Sequence, residues 1–179
     1  MKKYILLFIT LCGWIVACNP KSDTSATTAT TAAASTVTLP YTATYSTDFN
    51  NNVSDSDLLV ALNSYKYWEQ GDMKALRTTM GDSMEAYMPD GYQFKGFADS
   101  IMPVWSKYRD SLSSVKITME VWLKNHSVKD SANWVNVWYK EIDTFKAGKV
   151  DSAEFEDDNL MKNGKIILLS SHKQKLKKD

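Results

Sequence analysis

Partway along this chain the spacing of its apolar residues changes. Up to Leu112 they recur every third or fourth position; from Val115 they recur every second one. The first spacing lines one face of a helix and the second lines one face of a strand. Helices that come first and gather on one side of the strands that follow make an α+β fold.

The helical half is clearly punctuated. Ser54 or Asp55 starts a helix, and Leu58, Ala61, Leu62, Tyr65 and Trp68 form one apolar stripe along it. Gly71 ends that helix, and Asp72 caps a second carrying Met73, Leu76 and Met80. Gly81-Asp82 stops the second helix. A short extended stretch, Met84 to Met88, leads into the turn Pro89-Asp90-Gly91. Phe97 to Leu112 reads as a third helix with Ile101, Val104, Trp105 and Tyr108 on one side, and Pro103 either falls in its first turns or bends it.

In the second half, Val115, Ile117, Met119, Val121 and Leu123 alternate with Lys116, Thr118, Glu120, Trp122 and Lys124. The alternation predicts a strand whose first set is buried. Asn125 to Ser131 connects it to a long strand, Trp134 to Phe145, with aromatic residues on both faces. Ala147-Gly148-Lys149 is a turn. Val150 to Met161 is a third strand, Lys162-Asn163-Gly164-Lys165 a tight hairpin, and Ile166 to Lys173 the last strand of a four-strand antiparallel meander.

The N-terminal part has a different character. Lys2 and Lys3 precede an uncharged apolar run from Tyr4 to Ala17, shorter than the roughly 20 residues that span a membrane. This is the pattern of a secretory signal. Ile15-Val16-Ala17 before Cys18 resembles the bacterial lipobox. That resemblance implies cleavage before Cys18 and diacylation of its thiol, as in palmitoylated envelope lipoproteins. Two or more acyl chains hold firmly where one holds reversibly. Asn19 in place of Asp gives no inner-membrane retention signal, which points to the outer membrane of a bacterial cell envelope. From Lys21 to about Asn52 the chain is rich in Ser, Thr and Ala and cannot bury enough apolar surface to order itself. Three parts are expected: a signal peptide at 1–17, the lipidated cysteine and a disordered tether at 18–52, and one domain at 53–179. Tyr41, Tyr45 and Phe49 in the tether are positioned to touch the domain.

Cysteine and charge narrow the function. The two cysteines are Cys12, lost with the signal, and Cys18; the mature domain then has neither disulfide nor thiol nucleophile and depends on its core. Formal net charge is zero, and about −2 without Lys2 and Lys3, which argues against nucleic acid as a partner. The basic end from His172 to Lys178 reads as a solvated tail. His126 and His172 are the two histidines, with no ligand spacing around them, so neither metal nor cofactor is expected. There is no phosphate-binding glycine loop and no nucleophile motif.

Several motifs carry a family resemblance. Tyr65-Lys-Tyr-Trp-Glu-Gln-Gly-Asp-Met-Lys-Ala-Leu76 resembles the helix–Gly-Asp–helix opening of the nuclear transport factor 2-like superfamily, which includes SnoaL-like and ketosteroid-isomerase-like domains. Asn163-Gly-Lys-Ile-Ile167 is similar to its last hairpin, and Gly96-Phe97 to the glycine that leads into its third helix. The resemblance runs from about Asp57 to His172. It implies a cone: a curved antiparallel sheet wrapped around three N-terminal helices, with a pocket at the open end. Many members dimerise through the sheet, so a homodimer is among the partnerships it implies.

The isomerase-like members place a base carboxylate at the end of the first short strand. The matching position here is about Met88, which cannot abstract a proton. Asp90 replaces it only if the turn points inward; the alternative is an ordinary turn residue. The hydroxyl that this subfamily supplies from its first helix matches a position near Ser64, with Tyr65 beside it on the apolar stripe; the alternative for Tyr65 is a core tyrosine. Asp157 shares a strand face with Ala153, Phe155, Asn159 and Met161, opposite the more polar set Ser152, Glu154, Glu156 and Asp158. An acid among apolar neighbours can stay protonated and donate a hydrogen bond. Trp68 and Trp105, with Tyr65 and Asp157, are the candidate ligand-binding residues; Trp122, Trp134 and Trp138 fit either core or cavity.

Three functions remain open. The first is a tethered module that binds a small apolar or aromatic ligand without turnover. The second is an isomerase- or cyclase-type enzyme using Asp157 and Tyr65 with Asp90 as base. The third is a protein-interaction or dimerisation module. Aromatic content ranks binding first, and Met88 lowers the enzyme reading.

Overall fold

Ser54 is extended, and its Oγ accepts the Asp57 N–H at 3.0 Å, starting helix α1 (Asp55–Gln70). Asp55 and Asp57 place negative charge in the first turn, where exposed helix N–H groups favour it. Ala61, Ser64 and Tyr65 are its buried residues. Gly71 closes the helix at φ 75°, a left-handed conformation suited to glycine, with its N–H on Trp68 O. The last turn of α1 contains no basic residue. Arg109 supplies one from a distance: its guanidinium donates to Trp68 O and Glu69 O, both at 2.9 Å. Asp72 then caps α2 (Met73–Thr78) by accepting the Ala75 N–H.

These are features of a computed structural model that describes residues 40–175. The signal reading at 1–17, the lipidation reading at Cys18 and the tail beyond Lys175 lie outside the described residues. No helix among the described residues is long and apolar enough to cross a membrane.

Seven strands follow the order β1-β4-β5-β6-β7-β2-β3 in one curved, unclosed sheet. They are β1 (Phe49–Asn50), β2 (Met80–Tyr87), β3 (Gln93–Phe97), β4 (Leu112–Ser127), β5 (Ala132–Phe145), β6 (Val150–Lys162) and β7 (Lys165–Lys175). The meander β4 to β7 is as the alternation predicts, and the fold is α+β. Asn163 and Gly164 take φ 52° and 69°, the paired left-handed conformations of a tight hairpin. The third helix, α3 (Ala98–Asp110), contains Pro103 in its second turn and has no side-chain cap at Phe97.

Three details differ from the sequence reading. First, the chain after α2 is already a strand at Met80 rather than a stop at Gly81-Asp82, and β2 runs parallel to β7 in an otherwise antiparallel sheet. The Ile166 N–H donates to Thr79 O at 2.9 Å, and a Cβ on Gly81 would stand 3.1 Å from Ile167 Cγ2. Glycine there admits the neighbouring strand instead of ending a helix.

Second, β4 does not keep one apolar face. Met119 pairs with Tyr139 and Val121 with Trp138, so Glu120 is an extra residue, a bulge. Beyond it the period of two continues with the faces exchanged. Val121 and Leu123, expected to be buried, lie on the outer face at 46% exposure each. By register Trp122 and Lys124 stand opposite Val137 and Val135; Trp122 is nevertheless 49% exposed, because the sheet is little covered there, and Lys124 reaches Asp55 at 2.8 Å.

Third, the end of the segment read as a disordered tether is ordered on the domain, with Tyr45 and Phe49 touching it as expected and a short strand formed there that the sequence did not suggest. Phe49 and Asn50 pair with Ser127 and His126, and the Trp134 Nε1–H donates to the Tyr45 hydroxyl at 3.1 Å.

The core has two parts. Ala61 and Tyr65 of α1 meet Val135, Val137, Tyr139, Met161 and Ile166 on the inner face of the sheet. Leu76, Met80, Met84, Ala86, Ala98 and Ile101 join α2, α3 and β2. Residues of both parts border the cavity described next.

Candidate functional site

The cavity measures about 460 Å³. Its wall combines Leu76, Met80 and Met84 from the second core cluster with Tyr65 and Tyr139 from the first, and Trp105 completes the apolar side. The sequence candidates Tyr65, Trp68, Trp105 and Asp157 all line it. So does Asp90, at an exposed turn where its Oδ1 accepts the Tyr92 N–H at 2.9 Å. Met88 lines it as well, at the position matched to a base carboxylate. Trp134 and Trp138 alternate with the buried Val135 and Val137 and so belong to the outer face.

On β6 the alternation puts Ala153, Asp157, Asn159 and Met161 inside, all buried. Asp157 is 2% exposed. Two phenols donate to its Oδ2: Tyr65 at 3.1 Å and Tyr139 at 3.0 Å. Asn159 Nδ2 donates to the Tyr65 hydroxyl at 2.9 Å and to Val135 O at 3.1 Å. The Tyr65 oxygen therefore accepts from Asn159 and has its proton free for Asp157. Asp157 Oδ1 is buried and has no hydrogen-bond partner among the described residues.

Burial pushes the Asp157 carboxyl up to about 6, against the opposing influence of Ser171, Tyr139 and Tyr65. Ser171, its register partner on β7, favours the charged form without closing a hydrogen bond to Oδ1. Burial, with Asp157 beside them, raises Tyr65 and Tyr139 well above the usual phenol range. Both phenols stay protonated and act as donors.

Two further acids escape the sequence reading. On β5 the buried positions are Val135, Val137, Tyr139, Glu141 and Asp143. Burial, then the charges of Asp143 and Asp157, push Glu141 up to about 8; Lys173 and the Trp68 indole oppose this. Asp143 is also raised, mainly by burial, against a hydrogen bond that the Tyr108 hydroxyl donates at 3.0 Å. Its Oδ1, like that of Asp157, is buried without a partner among the described residues. Tyr108 stacks on Trp68 at 6.1 Å between centroids, with the planes 5° apart.

The signal for Glu141 and Asp143 lies in the phase of β5. Counting by twos from Val135 and Val137 carries both acids inward. The contrast between faces is blurred because the outer face also holds Trp134, Trp138 and Ile142.

No metal-binding group of three or more His, Cys, Asp or Glu residues occurs among the described residues. The His126 Nδ1 lies 2.7 Å from Asn133 Oδ1 on a strand pair away from the cavity.

No protein-family model matches the chain, and no curated protein matches it. Solved structures do. An NTF2-like protein from Anabaena variabilis is 13% identical, with a TM-score of 0.57, over 70% of this chain and 94% of its own. Bal32a, from a soil-derived mobile gene cassette, is 18% identical, with a TM-score of 0.54, over 66% and 89%. An LEH-like epoxide hydrolase from M. tuberculosis is 7% identical, with a TM-score of 0.56, over 68% and 84%. At these identities the likeness is one of fold. The curved sheet, the helices packed against it and these superpositions together give the chain the nuclear transport factor 2-like fold that its Gly71-Asp72 and Asn163-Gly164 motifs resemble.

Proposed function

We propose that this protein is a lipid-anchored envelope protein whose domain binds a small ligand with an apolar or aromatic body and does not turn it over. The observation that carries the binding reading is the cavity: about 460 Å³, walled by aromatic and methionine side chains, with a few converging polar groups. Such a composition is that of a small-molecule site. Against turnover stand Met88, which cannot act as a base, and Asp90, whose carboxylate is engaged by its own turn.

A second reading has its own observation. The Glu120 bulge turns Val121 and Leu123 to the outer face of the sheet, where Val121 pairs with Trp138. An apolar patch on an open sheet face suits contact with another protein or a second copy of this one.

The anchor is tested by acyl labelling and fractionation. The protein should incorporate labelled fatty acid and Cys18→Ser should not; Cys18→Ser made without residues 2–17, whose uncut apolar run could itself hold a membrane, should be soluble, and label retained by Cys18→Ser overturns the anchor. The same soluble variant then serves for native mass spectrometry. The binding reading expects a monomer carrying a bound small molecule, or one that takes up the neutral dye N-phenyl-1-naphthylamine in competition with that molecule. An empty domain that takes up no dye overturns it, and a dimer without ligand favours the outer-face reading.

A further inference from the structure

We propose that the ligand of this cavity is an organic cation, a protonated amine or quaternary ammonium group on an apolar body, with its charge held between Glu141, Asp143 and the Trp68–Tyr108 stack. The inference rests on the binding reading above and names the ligand class.

The cavity gathers acids without matching bases, and a bound cation would draw the proton off the acid beside it. Glu141, Asp143 and Asp157 all face it from adjacent strands, and all three are buried. Lys173 is the one cation among the described residues that line it, and Asp151 already holds Lys173 at 3.0 Å. Arg109, on the helix above, is spent on the carbonyls that end α1. Among the described residues, then, none forms an ion pair with any of the three acids, although the charge of Lys173 is felt at Glu141 and Asp143.

Two of these carboxylates also lack hydrogen bonds they could accept. Asp143 is 6% exposed and Asp157 2%, and the Oδ1 of each is buried and unpartnered. A buried carboxylate oxygen left unpaired is destabilising, and buried charge is ordinarily matched by an opposite one. A cation bound beside Asp143 supplies the missing opposite charge there, and a protonated amine supplies the missing donor as well; Asp157, paired with Val137 six residues along β5, adds its negative field from further along the same wall.

The aromatic side chains point to the same class. Trp68 and Tyr108 stack in parallel, and their polar edges face the two β5 acids: the Tyr108 hydroxyl donates to Asp143 and the Trp68 indole to Glu141. Ring faces attract cations, most strongly when water is excluded. One ring of the wall already does so: Lys173 Nζ lies 5.3 Å from the centre of Phe155. Met80, Met84 and Trp105, which pack in the same cluster that Trp68 borders, form an apolar surface for the rest of the ligand.

The test compares three probes of similar shape on the soluble Cys18→Ser protein by isothermal titration. They are benzyltrimethylammonium, its neutral carbon isostere neopentylbenzene, and the anion phenylacetate. The cation should bind at least tenfold more tightly than the isostere, and phenylacetate should bind more weakly than both. In Glu141→Gln combined with Asp143→Asn, that tenfold preference should fall to about one. Equal binding of cation and isostere by the unmutated site overturns the cation inference while leaving the apolar-ligand reading in place. Failure of all three probes and of the neutral dye overturns both.

Discussion

Glu141→Gln is expected to raise the thermal unfolding midpoint at about pH 8.5 and to leave it nearly unmoved at about pH 4.5. Burial and the neighbouring acids push Glu141 up to about 8 in the folded protein, from an ordinary value of 4.5. Below the ordinary value the group is protonated in both folded and unfolded chains, and its charge costs nothing. Between 4.5 and 8 the unfolded chain has lost the proton that the folded one still holds, so stability falls as pH rises. Above 8 the folded state carries the full penalty of a charge buried beside Asp143 and Asp157. Gln is neutral throughout and escapes it. The gain at high pH is on the order of 3 kcal/mol, since each tenfold change in proton affinity corresponds to about 1.4 kcal/mol and neighbouring acids share part of it. Asp157 adds a step of the same sign, between 3.8 and about 6. Melting curves of both proteins at the two pH values decide the matter. Parallel pH dependence would mean that Glu141 is solvated and that the cavity imposes no strain on it. A stabilising substitution at a buried acid is the expected mark of a residue kept for binding at some expense of stability.

Ile101→Ala is expected to destabilise the protein by about 2–5 kcal/mol, the usual range for removing a fully buried aliphatic side chain. Ile101 is 0% exposed and packs with Leu76, Met80, Met84, Ala86 and Ala98. Its helix has little local support: α3 lacks a side-chain cap at its start, and Pro103 removes one N–H from its ladder. Packing of this face therefore holds α3 in place. Leu76, Met80 and Met84 also form cavity wall, so the space left by truncation opens beside the ligand site and flexible methionines can shift into it. Val104→Ala on the same helix, where Val104 is 50% exposed, is the control and should cost under about 1 kcal/mol. Denaturant unfolding of the two variants gives the comparison. Equal costs would show that α3 is not secured through Ile101.

Features set by near neighbours in the chain are legible in the residues themselves. Ser54, Gly71 and Asp72 bound two helices because a hydroxyl, a missing Cβ and a carboxylate act on backbone groups within three residues of themselves. Asn163-Gly164 makes its hairpin because both residues tolerate positive φ. Alternation along 153–161 puts Asp157 on the inner face, and Tyr65 reaches the cavity along the stripe of α1. The phase of β5 is harder to read, since Trp134, Trp138 and Ile142 make its outer face nearly as apolar as the inner one. Glu141 and Asp143 do not stand out against that background.

The sequence by itself determined the order of helices and strands, the caps and turns between them, and which strand face carries Asp157, because each depends on covalent spacing and local backbone preference. Only the tertiary structure decided that Glu120 bulges and exchanges the faces of β4, that β2 joins β7 in parallel, and that Tyr65, Tyr139 and Asn159 converge around one carboxylate. Those outcomes depend on register between strands far apart in the chain, and register is selected by how whole faces pack, which no local run of residues contains.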